Sequence, residues 1–319
     1  MQAQLIVLDW GTSSLRAYKL GPAGEVLEQR SLAFGIMHLP TEPREIAGVR
    51  CGDGFELAFD AACGDWLDAE PNLPVIACGM VGSAQGWSEA AYRNTPVDVA
   101  SLGQALHTVR SLRGVDVHIV PGVIEQVGLP NVMRGEETQV LGVLQGLEAE
   151  VLIGLPGSHS KWVEVKGGCI THFDTFMTGE LFAVLSKHSL LGRTQKTSEH
   201  FQAEAFDRGV NVALSADGQR GVLSTLFSAR TLGLTAQLAP EQQPDYLSGL
   251  LIGHELAGLP RQAKHQPIVL VGAAPLCARY QRALALCGFA PVSLAQEATE
   301  RGLWQLAVAA GLTQPVSEA

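Results

Sequence analysis

Apolar and polar positions alternate in blocks along this chain, and the first block is an apolar strand that ends in a polar turn. Residues 5–8 are Leu-Ile-Val-Leu, residues 9–14 are Asp-Trp-Gly-Thr-Ser-Ser, and a second β-prone run begins at Leu15. This order predicts a strand, a tight hairpin and a second strand. A similar order returns at residues 150–165, where an apolar run enters Pro-Gly-Ser-His-Ser-Lys.

The rest of the first half has a pattern typical of alternating strands and helices, in the order β-β-β-α-β-α-β-α. Glycine and proline at residues 21–24 predict the turn into the third strand. Acidic residues after position 135 suit the N-terminus of the last helix. Further strands are expected over residues 25–33, 74–80 and 115–120, and helices over 54–67 and from 131–139 through Leu147.

The second half repeats this order and adds one segment. Residues 194–240 have no counterpart in the first half, and their apolar spacing predicts an inserted, mostly helical segment. Strands are expected over 150–155, 169–173, 267–271 and 291–294, and helices over 178–191, 246–259, 276–287 and 298–312. The pattern therefore predicts an α/β fold of two similar domains, residues 1–148 and residues 149–319.

Composition narrows the class of protein. The 319 residues suffice for two domains, and 46% hydrophobic with 17% charged residues is ordinary for a well-packed α/β protein. A net charge of −10 argues against nucleic acid or an anionic membrane as the main partner. The six cysteines show no CxxC or zinc-ligand spacing, and no signal peptide or membrane-length apolar run is present. These features predict a cytoplasmic protein.

The first hairpin carries residues suited to phosphate. Gly11 permits a close backbone approach, and the turn amides with the hydroxyls of Thr12, Ser13 and Ser14 can cradle phosphate oxygens. Asp9 follows the strand and is placed to hold Mg²⁺ through water. The alternative is an ordinary hairpin with a capping aspartate. The second hydroxyl-rich hairpin favours the functional interpretation, because a purely structural duplication would not require both.

The loop at residues 79–92 follows the carboxyl end of a predicted strand, where open α/β sheets bind ligands. It is rich in glycine, aromatic and polar residues, and its candidate substrate contacts are Ser83, Gln85, Trp87 and Tyr92. The alternative is a plain connection in which Trp87 is a packing residue. We favour binding, because loops at that edge often carry function.

The two hairpins resemble the phosphate-1 and phosphate-2 loops of the actin, sugar-kinase and heat-shock-chaperone superfamily. Residues 269–276, Val-Leu-Val-Gly-Ala-Ala-Pro-Leu, stand where that superfamily has its adenosine loop. Nearly the whole chain resembles, more narrowly, the 2-dehydro-3-deoxygalactonokinase family. The segments that carry this likeness are Asp9-Trp10-Gly11 with Leu15-Arg16-Ala17, Gly79–Ser83 with Gly86-Trp87, Asn131–Gln139, Pro156-Gly157 with His159 and Lys161-Trp162-Val163, Met177–Leu181, and Leu247–Gly253 with Glu255.

The resemblance implies a fold and a reaction. The fold is two duplicated ribonuclease H-like, actin-like ATPase domains with a cleft between them and a helical insertion at about 194–240 in the second. Residues 1–148 are expected to bind the sugar acid and residues 149–319 the nucleotide, with the final helix crossing back to the first domain. The reaction is phosphorylation of 2-dehydro-3-deoxy-D-galactonate at its 6-hydroxyl, with ATP and Mg²⁺ as cofactors.

The resemblance also implies roles for particular residues. The second hairpin supplies nucleotide contacts at Gly157, Ser158, His159 and Lys161, and the adenosine loop supplies them at Gly272 and Ala273. His159 could instead stabilise its turn, and the Lys161 ammonium could point to solvent.

Charged residues of the first half complete the expected site. Arg16 and Arg134 are candidates for the substrate carboxylate, although Arg16 could simply form an ion pair across the sheet. Glu136 is our candidate general base, with Glu137 capping the helix or contacting metal. Both glutamates could also be no more than favourable first-turn carboxylates. The reserve candidates for the base are Asp174 and Glu180.

Other functions remain open on the sequence alone. Another sugar or sugar-acid kinase is the close alternative, and a phosphohydrolase or a non-catalytic nucleotide-binding regulator are the distant ones. The expected partner is a small sugar acid, with no nucleic acid and no membrane, and a homodimer is allowed.

Overall fold

A computed structural model of the protein describes residues 2–144 and 150–314. The chain divides into two compact units. The first contains the described residues within 1–149, 165–172 and 297–319, and the second contains those within 150–164 and 173–296. The C-terminal helix is thus grouped with the first unit, in agreement with the expectation that it crosses back. Among the described residues, no helix combines the length and apolar character needed to span a bilayer.

The strands are short and belong to several sheets. In chain order they are β1 Leu5–Trp10, β2 Leu15–Leu20, β3 Val26–Leu32, β4 Arg44–Ile46, β5 Val49–Cys51, β6 Val75–Cys78, β7 Arg93–Asn94, β8 His107–Arg110, β9 Asp116–Ile119, β10 Val123–Glu125, β11 Asn131–Met133, β12 Val151–Leu155, β13 Ser160–Lys166, β14 Cys169–Phe176, β15 Ile268–Val271 and β16 Val292–Ala295.

The helices are α1 Gly54–Ala69, α2 Val99–Gly103, α3 Glu136–Val143, α4 Thr178–His188, α5 Ala203–Leu214, α6 Val222–Thr225, α7 Ser228–Leu234, α8 Gln243–Ala257, α9 Ala274–Leu286 and α10 Ala298–Ala309. Short 3₁₀ turns lie at Met80–Gly82, Gly192–Thr194, Gly218–Arg220 and Arg261–His265.

The first unit is built on a six-stranded sheet of order β3-β2-β1-β6-β9-β8. Strand β1 pairs antiparallel with β2 and parallel with β6, so that Asp9 lies opposite Cys78. The residues of β1 from Leu5 to Leu8 are fully buried, as expected for a central strand covered on both faces. The carboxyl ends of β1 and β6 therefore meet at one edge, where the predicted hairpin and loop begin.

Helix α1 covers one side of this sheet. The side chain of Asp53 accepts hydrogen bonds from the amides of Phe55 and Glu56, which satisfies two otherwise unpaired donors at the helix start. Phe59 and Trp66 of this helix are buried in a core cluster with residues of β1 and β2.

Helices α3 and α10 approach each other unusually closely. A Cβ atom on Gly142 of α3 would lie 1.9 Å from the carbonyl oxygen of Ala298, and one on Gly302 of α10 would lie 1.9 Å from that of Thr138. Only glycine fits at these two positions, because any side chain would collide with the backbone of the other helix. The pair of glycines lets the last helix of the chain pack directly on the helix that carries Glu136.

The second sheet has the order β14-β13-β12-β15-β16, with β15 parallel to both β12 and β16. Helices α5 and α8 lie beside this sheet, and they contact each other through a second pair of glycines. A Cβ on Gly209 would lie 2.2 Å from the carbonyl oxygen of Tyr246, and one on Gly249 would lie 2.0 Å from that of Phe206. Residues 194–240 contain α5, α6 and α7, so this segment is helical as predicted.

Several predicted elements agree closely with the structure. The helix expected at 54–67 is α1, and the strands expected at 150–155 and 267–271 are β12 and β15. The helix expected from 131–139 through Leu147 begins at Glu136, and the part of that prediction beyond residue 144 lies outside the described residues. Strands β4, β5, β7, β8, β10 and β11 were not predicted, because two to four residues are too few to show a periodicity.

Candidate active site

Three chain segments of the first unit meet through glycine backbones. A Cβ on Gly79 would lie 2.8 Å from the carbonyl oxygen of Trp10, and one on Gly135 would lie 3.2 Å from the Cα atom of Gly79. Both glycines have positive φ angles, +91° and +105°, which L side chains rarely adopt. The structure therefore brings together the end of β1, the loop after β6 and the start of α3.

Asp9 lies at the end of β1 beside a cation. Its Oδ2 atom is 3.3 Å from Nη1 of Arg16 on the neighbouring strand, and the Asp9 side chain is only 23% exposed. Burial raises the pKa of Asp9, the positive charge of Arg16 opposes that rise, and Glu300 of α10 adds to it. Arg16 therefore forms the cross-strand ion pair that was its alternative role, while about half of its side chain remains exposed.

The first hairpin is held from one side and exposed on the other. The amide of Ile36 donates to the carbonyl oxygen of Gly11, and the amide of Met37 donates to that of Thr12. Thr12 and Ser13 are exposed. A Cβ on Gly11 would make only an ordinary contact, 3.7 Å from the Ser14 oxygen, so packing within the protein does not require glycine there. A ligand that approaches the backbone would require it.

Arg134 is a buried charged residue of the first unit. The residue is 9% exposed. Its Nη2 atom donates to the carbonyl oxygen of Ala90, and its guanidinium lies 4.4 Å from the centre of the Tyr92 ring. Its Nε and Nη1 atoms, like Oγ of Ser83, are buried with no hydrogen-bond partner among the described residues. Unpartnered buried donors are costly, so this corner of the loop is suited to a ligand with acceptor oxygens.

The aromatic side chain of Trp87 packs against the core. Its ring centroid lies 5.8 Å from that of Trp10, 6.4 Å from that of Phe55 and 5.5 Å from that of Phe59. The packing role, which was the alternative, therefore accounts for this residue. Gln85 of the same loop is exposed.

The two glutamates at the start of α3 have different environments. Glu137 is fully buried and accepts hydrogen bonds from the amide of Gly135 (2.7 Å) and from Oγ1 of Thr138 (3.1 Å). Glu136 is half-buried and accepts from the amide of Arg134 at 3.0 Å. Burial, with a smaller contribution from the charge of Glu136, raises the pKa of Glu137 to about 8. Glu137 is therefore mostly protonated at neutral pH and caps its own helix.

The second hairpin is in close contact with the start of α4. A Cβ on Gly179 would lie 2.3 Å from the carbonyl oxygen of Gly157, and the amide of Glu180 donates to that of Ser158 at 3.0 Å. Nε2 of His159 lies 2.5 Å from a carboxylate oxygen of Glu180, which agrees with its alternative role in stabilising the turn. Glu180, a reserve candidate for the base, is thus paired with a histidine. Asp174, the other reserve, is half-buried on β14.

The glycine of the second hairpin resembles Gly11 in one respect. A Cβ on Gly157 would meet nothing within 4 Å, and Ser158 beside it is exposed. The protein itself therefore leaves open the space over this turn.

The side chain of Lys161 does not point to solvent. The residue is 5% exposed, its Nζ atom donates to Oγ1 of Thr175 at 2.7 Å, and the same atom lies 6.0 Å from the centre of the Phe173 ring. The alternative that placed this ammonium in water is wrong, because β13 is covered on the face that carries Lys161.

The predicted adenosine loop lies next to the second hairpin. Strands β12 and β15 are parallel, and a Cβ on Gly272 would lie 3.4 Å from the carbonyl oxygen of Pro156. Gly272 and Ala273 are exposed between β15 and α9. A mostly apolar cavity of about 200 Å³ lies between the second hairpin and α9, and its lining includes Gly157, Thr178, Gly179, Ile252, Leu276 and Tyr280.

One buried carboxylate in the second unit received no role from sequence reasoning. Glu255 of α8 is 3% exposed and accepts hydrogen bonds from Nε1 of Trp162 and from the hydroxyl of Tyr280, each at 2.7 Å. It also accepts one from Oγ1 of Thr178. The available signal was a lone acidic residue in the mostly apolar run that begins at Leu247.

The described residues contain no group of three or more His, Cys, Asp or Glu side chains that could share a metal ion. A structural metal cluster is therefore not seen in this part of the chain. A single carboxylate such as Asp9 can still bind Mg²⁺ through water, since Mg²⁺ commonly keeps several waters.

Comparisons with known proteins find one family. The sequence profile of the 2-keto-3-deoxy-galactonokinase family matches residues 9–306. A 2-dehydro-3-deoxygalactonokinase of Escherichia coli (strain K12) is 36% identical over 290 residues, which cover 90% of this chain and 91% of the relative. A Rhizobium meliloti (strain 1021) protein, provisionally named 2-dehydro-3-deoxygalactonokinase DgoK1, is 35% identical over 302 residues, which cover 93% and 94%.

A solved structure shows the same similarity in three dimensions. A Sinorhizobium meliloti protein, provisionally named a 2-dehydro-3-deoxygalactonokinase, superposes with a TM-score of 0.82 at 34% sequence identity. The superposition covers 96% of this chain and 98% of that one.

Proposed function

Because the chain belongs to the 2-keto-3-deoxy-galactonokinase family, we propose that it phosphorylates 2-dehydro-3-deoxy-D-galactonate with ATP. The phosphoryl group is transferred to the 6-hydroxyl, which gives 2-dehydro-3-deoxy-6-phospho-D-galactonate. The observation that carries this proposal is the family match over nearly the whole chain, supported by relatives of the same name. The enzyme is then a phosphotransferase with an alcohol acceptor.

The proposal includes a duplicated, actin-like ATPase fold with a helical insertion in its second copy. The two strand orders support it: β3-β2-β1-β6-β9 in one sheet corresponds position by position to β14-β13-β12-β15-β16 in the other. Helices α5 to α7 are the proposed insertion. We assign the sugar acid to residues 1–148 and the nucleotide to residues 149–319.

Phosphoryl transfer depends mainly on positioning and on neutralising the charge of the phosphates. The proposed phosphate contacts are the amides and hydroxyls of the two hairpins, Gly11, Thr12, Ser13 and Ser14 in one and Gly157, Ser158, His159 and Lys161 in the other. Two observations support this role: a Cβ on Gly157 would meet nothing within 4 Å, and one on Gly11 would make only an ordinary contact, so packing requires neither glycine. Gly272 and Ala273 are the proposed adenosine contacts. Asp9 is proposed to hold Mg²⁺ through water.

Glu136 remains the proposed general base. It is half-buried, whereas Glu137 is fully buried and has a pKa raised to about 8, so that Glu137 holds its proton at neutral pH. A base must be deprotonated before the reaction and able to reach the acceptor hydroxyl. Glu136 is the more accessible of the two carboxyl groups, and we assign Glu137 to capping α3.

Arg134 is the proposed partner of the substrate carboxylate. A planar guanidinium whose Nε and Nη1 atoms have no partner suits a carboxylate. The unpartnered hydroxyl of Ser83, on the neighbouring loop, is a second polar group for the same ligand. Arg16 is a weaker candidate because it pairs with Asp9. Tyr92 and Gln85 are proposed to contact the sugar chain, and Trp87 to act through packing.

The direct test is a coupled assay of ADP release with ATP, Mg²⁺ and a panel of substrates. The panel contains 2-keto-3-deoxy sugar acids of both epimeric series and the neutral sugars that match them. ADP release that depends on 2-dehydro-3-deoxy-D-galactonate supports the proposal. Phosphate release without any sugar acid would indicate a phosphohydrolase, and nucleotide binding without turnover would indicate a regulator. Equal activity on neutral sugars would indicate a different sugar kinase. Cytoplasmic location and a homodimer stay predictions.

A further inference from the structure

Glu255 is a buried carboxylate surrounded by donors from three other elements. Trp162 of β13, Thr178 at the start of α4 and Tyr280 of α9 all donate to it. The hydroxyls of Ser160 and Tyr280 are 2.8 Å apart, so that a second residue of β13 is joined to the same network. One side chain of α8 is thus hydrogen-bonded to three elements that are distant along the chain.

Each of these elements contributes to the turns or the cavity described above. Thr178 precedes Gly179, which touches the carbonyl oxygen of Gly157 in the second hairpin. Thr178 and Tyr280 themselves line the 200 Å³ cavity. A shift of either side chain would therefore change the width of the cavity and the position of the hairpin.

The chemistry of the network requires an acceptor at its centre. Indole N–H groups can only donate, so Trp162 would lose its partner if the carboxylate oxygen were replaced by a donor. A buried carboxylate is costly unless its oxygens are satisfied by hydrogen bonds. Well-packed apolar residues could fill the same volume at no loss of stability, so stability alone does not explain a charged group here.

We infer that Glu255 is a positioning residue for the nucleotide, holding β13, the first turn of α4 and α9 in the arrangement that forms the cavity and the second hairpin. This inference rests on the proposed function, which places the nucleotide in residues 149–319. Glu255 itself has no direct contact with the reacting atoms in this role. It acts through Thr178, Trp162 and Tyr280.

The test is Glu255→Gln, which keeps the size of the side chain and replaces one acceptor oxygen by a donor. We expect the KM for ATP and the Kd of a non-hydrolysable ATP analogue, measured by calorimetry, to rise about 10- to 100-fold. The KM for the sugar acid should stay within about twofold, because its proposed contacts lie in the first unit. The single-donor variants Tyr280→Phe and Thr178→Val should each show a smaller rise in the KM for ATP.

Leu250→Ala is the matched control. Leu250 is fully buried on the same helix but belongs to a different core cluster from Trp162 and Tyr280. Its truncation should lower the melting temperature and leave the KM values for ATP and for the sugar acid unchanged. If Glu255→Gln does not fold, Tyr280→Phe and Thr178→Val decide the outcome. ATP affinity within twofold of the parent in a folded variant overturns the inference, as does a rise equal to that of Leu250→Ala. Absence of sugar-dependent ADP release in the parent refutes the proposed function instead, while analogue binding still tests Glu255.

Discussion

The buried carboxylate of Glu137 should make the stability of this protein depend on pH in an unusual direction. Most carboxylates in folded proteins are more acidic than in the unfolded chain, so stability falls as the pH is lowered. Glu137 is the reverse, because burial raises its pKa from an ordinary 4.5 to about 8. Between these two values the folded protein binds one more proton at this site than the unfolded chain does. Its contribution to the free energy of unfolding is therefore fully present below pH 4.5 and is lost as the pH rises toward 8.

The size of the effect follows from the two pKa values. One proton is worth about 1.4 kcal/mol for each pH unit. Between pH 4.5 and pH 7 the free energy of unfolding therefore falls by roughly 3 kcal/mol because of Glu137. Glu137→Gln removes this loss, since the amide is neutral at every pH and its oxygen can still accept from the Gly135 amide. We expect the variant to exceed the parent in stability by about 1–3 kcal/mol at pH 7 and by much less at pH 5.

Urea unfolding of the parent and of Glu137→Gln at pH 5, 6, 7 and 8 measures this difference. The gap between the two curves should widen with pH. Glu136→Gln is the comparison variant: because the charge of Glu136 contributes to the raised pKa of Glu137, its removal should weaken the pH dependence of the parent without abolishing it. Parallel curves for the parent and Glu137→Gln across the whole range would show that Glu137 is ionised in the folded protein as in the unfolded chain, and the raised pKa would then be wrong.

Four substitutions test the proposed site. Asp9→Asn should lower kcat strongly without loss of the folded circular dichroism spectrum, and near-normal turnover at saturating Mg²⁺ would remove Asp9 from the metal site. Glu136→Gln should lower kcat by about 10²–10⁴-fold; if kcat is kept and only the melting temperature falls, the glutamate serves the helix alone. Arg134→Lys should raise the KM for the sugar acid while the KM for ATP is unchanged, because the ammonium keeps the charge but loses the planar fork; an unchanged sugar-acid KM contradicts this role. Gly157→Ala should keep the melting temperature, since a Cβ there meets nothing within 4 Å, and should weaken ATP binding; unaltered binding by calorimetry would exclude close phosphate approach at this turn.

Sequence reasoning was strongest where a residue's role is local. The run from Leu5 to Leu8 indicates a buried strand because four apolar residues in sequence leave few other structures, and β1 is that strand. Asp9 and Gly135 could be placed at element ends for the same reason. The carboxyl ends of β1 and β6 lie together because these strands are parallel neighbours in one sheet. The approach of Gly135 to Gly79 depends instead on tertiary packing.

Other features depend on partners that are distant in the sequence. Nothing local distinguishes Lys161 from an exposed lysine on an alternating strand, yet it is buried against Thr175 and Phe173. Glu255 becomes informative only when Trp162 and Tyr280 are placed around it. In both cases the burial of a charged side chain is a property of tertiary packing, which periodicity does not report.

The contact of Gly142 with Ala298 and of Gly302 with Thr138 has a consequence for biosynthesis. Helix α3 leaves the ribosome long before α10, and at ordinary rates of translation the interval is roughly 8–30 s. During that time the face of α3 that will receive α10 has no partner from its own chain, and the second unit has already been made. Synthesis of the first unit thus starts before that of the second unit and finishes after it. Nascent chains stopped before residue 297 should therefore be cut by protease within α3, whereas the released full-length chain should be protected there.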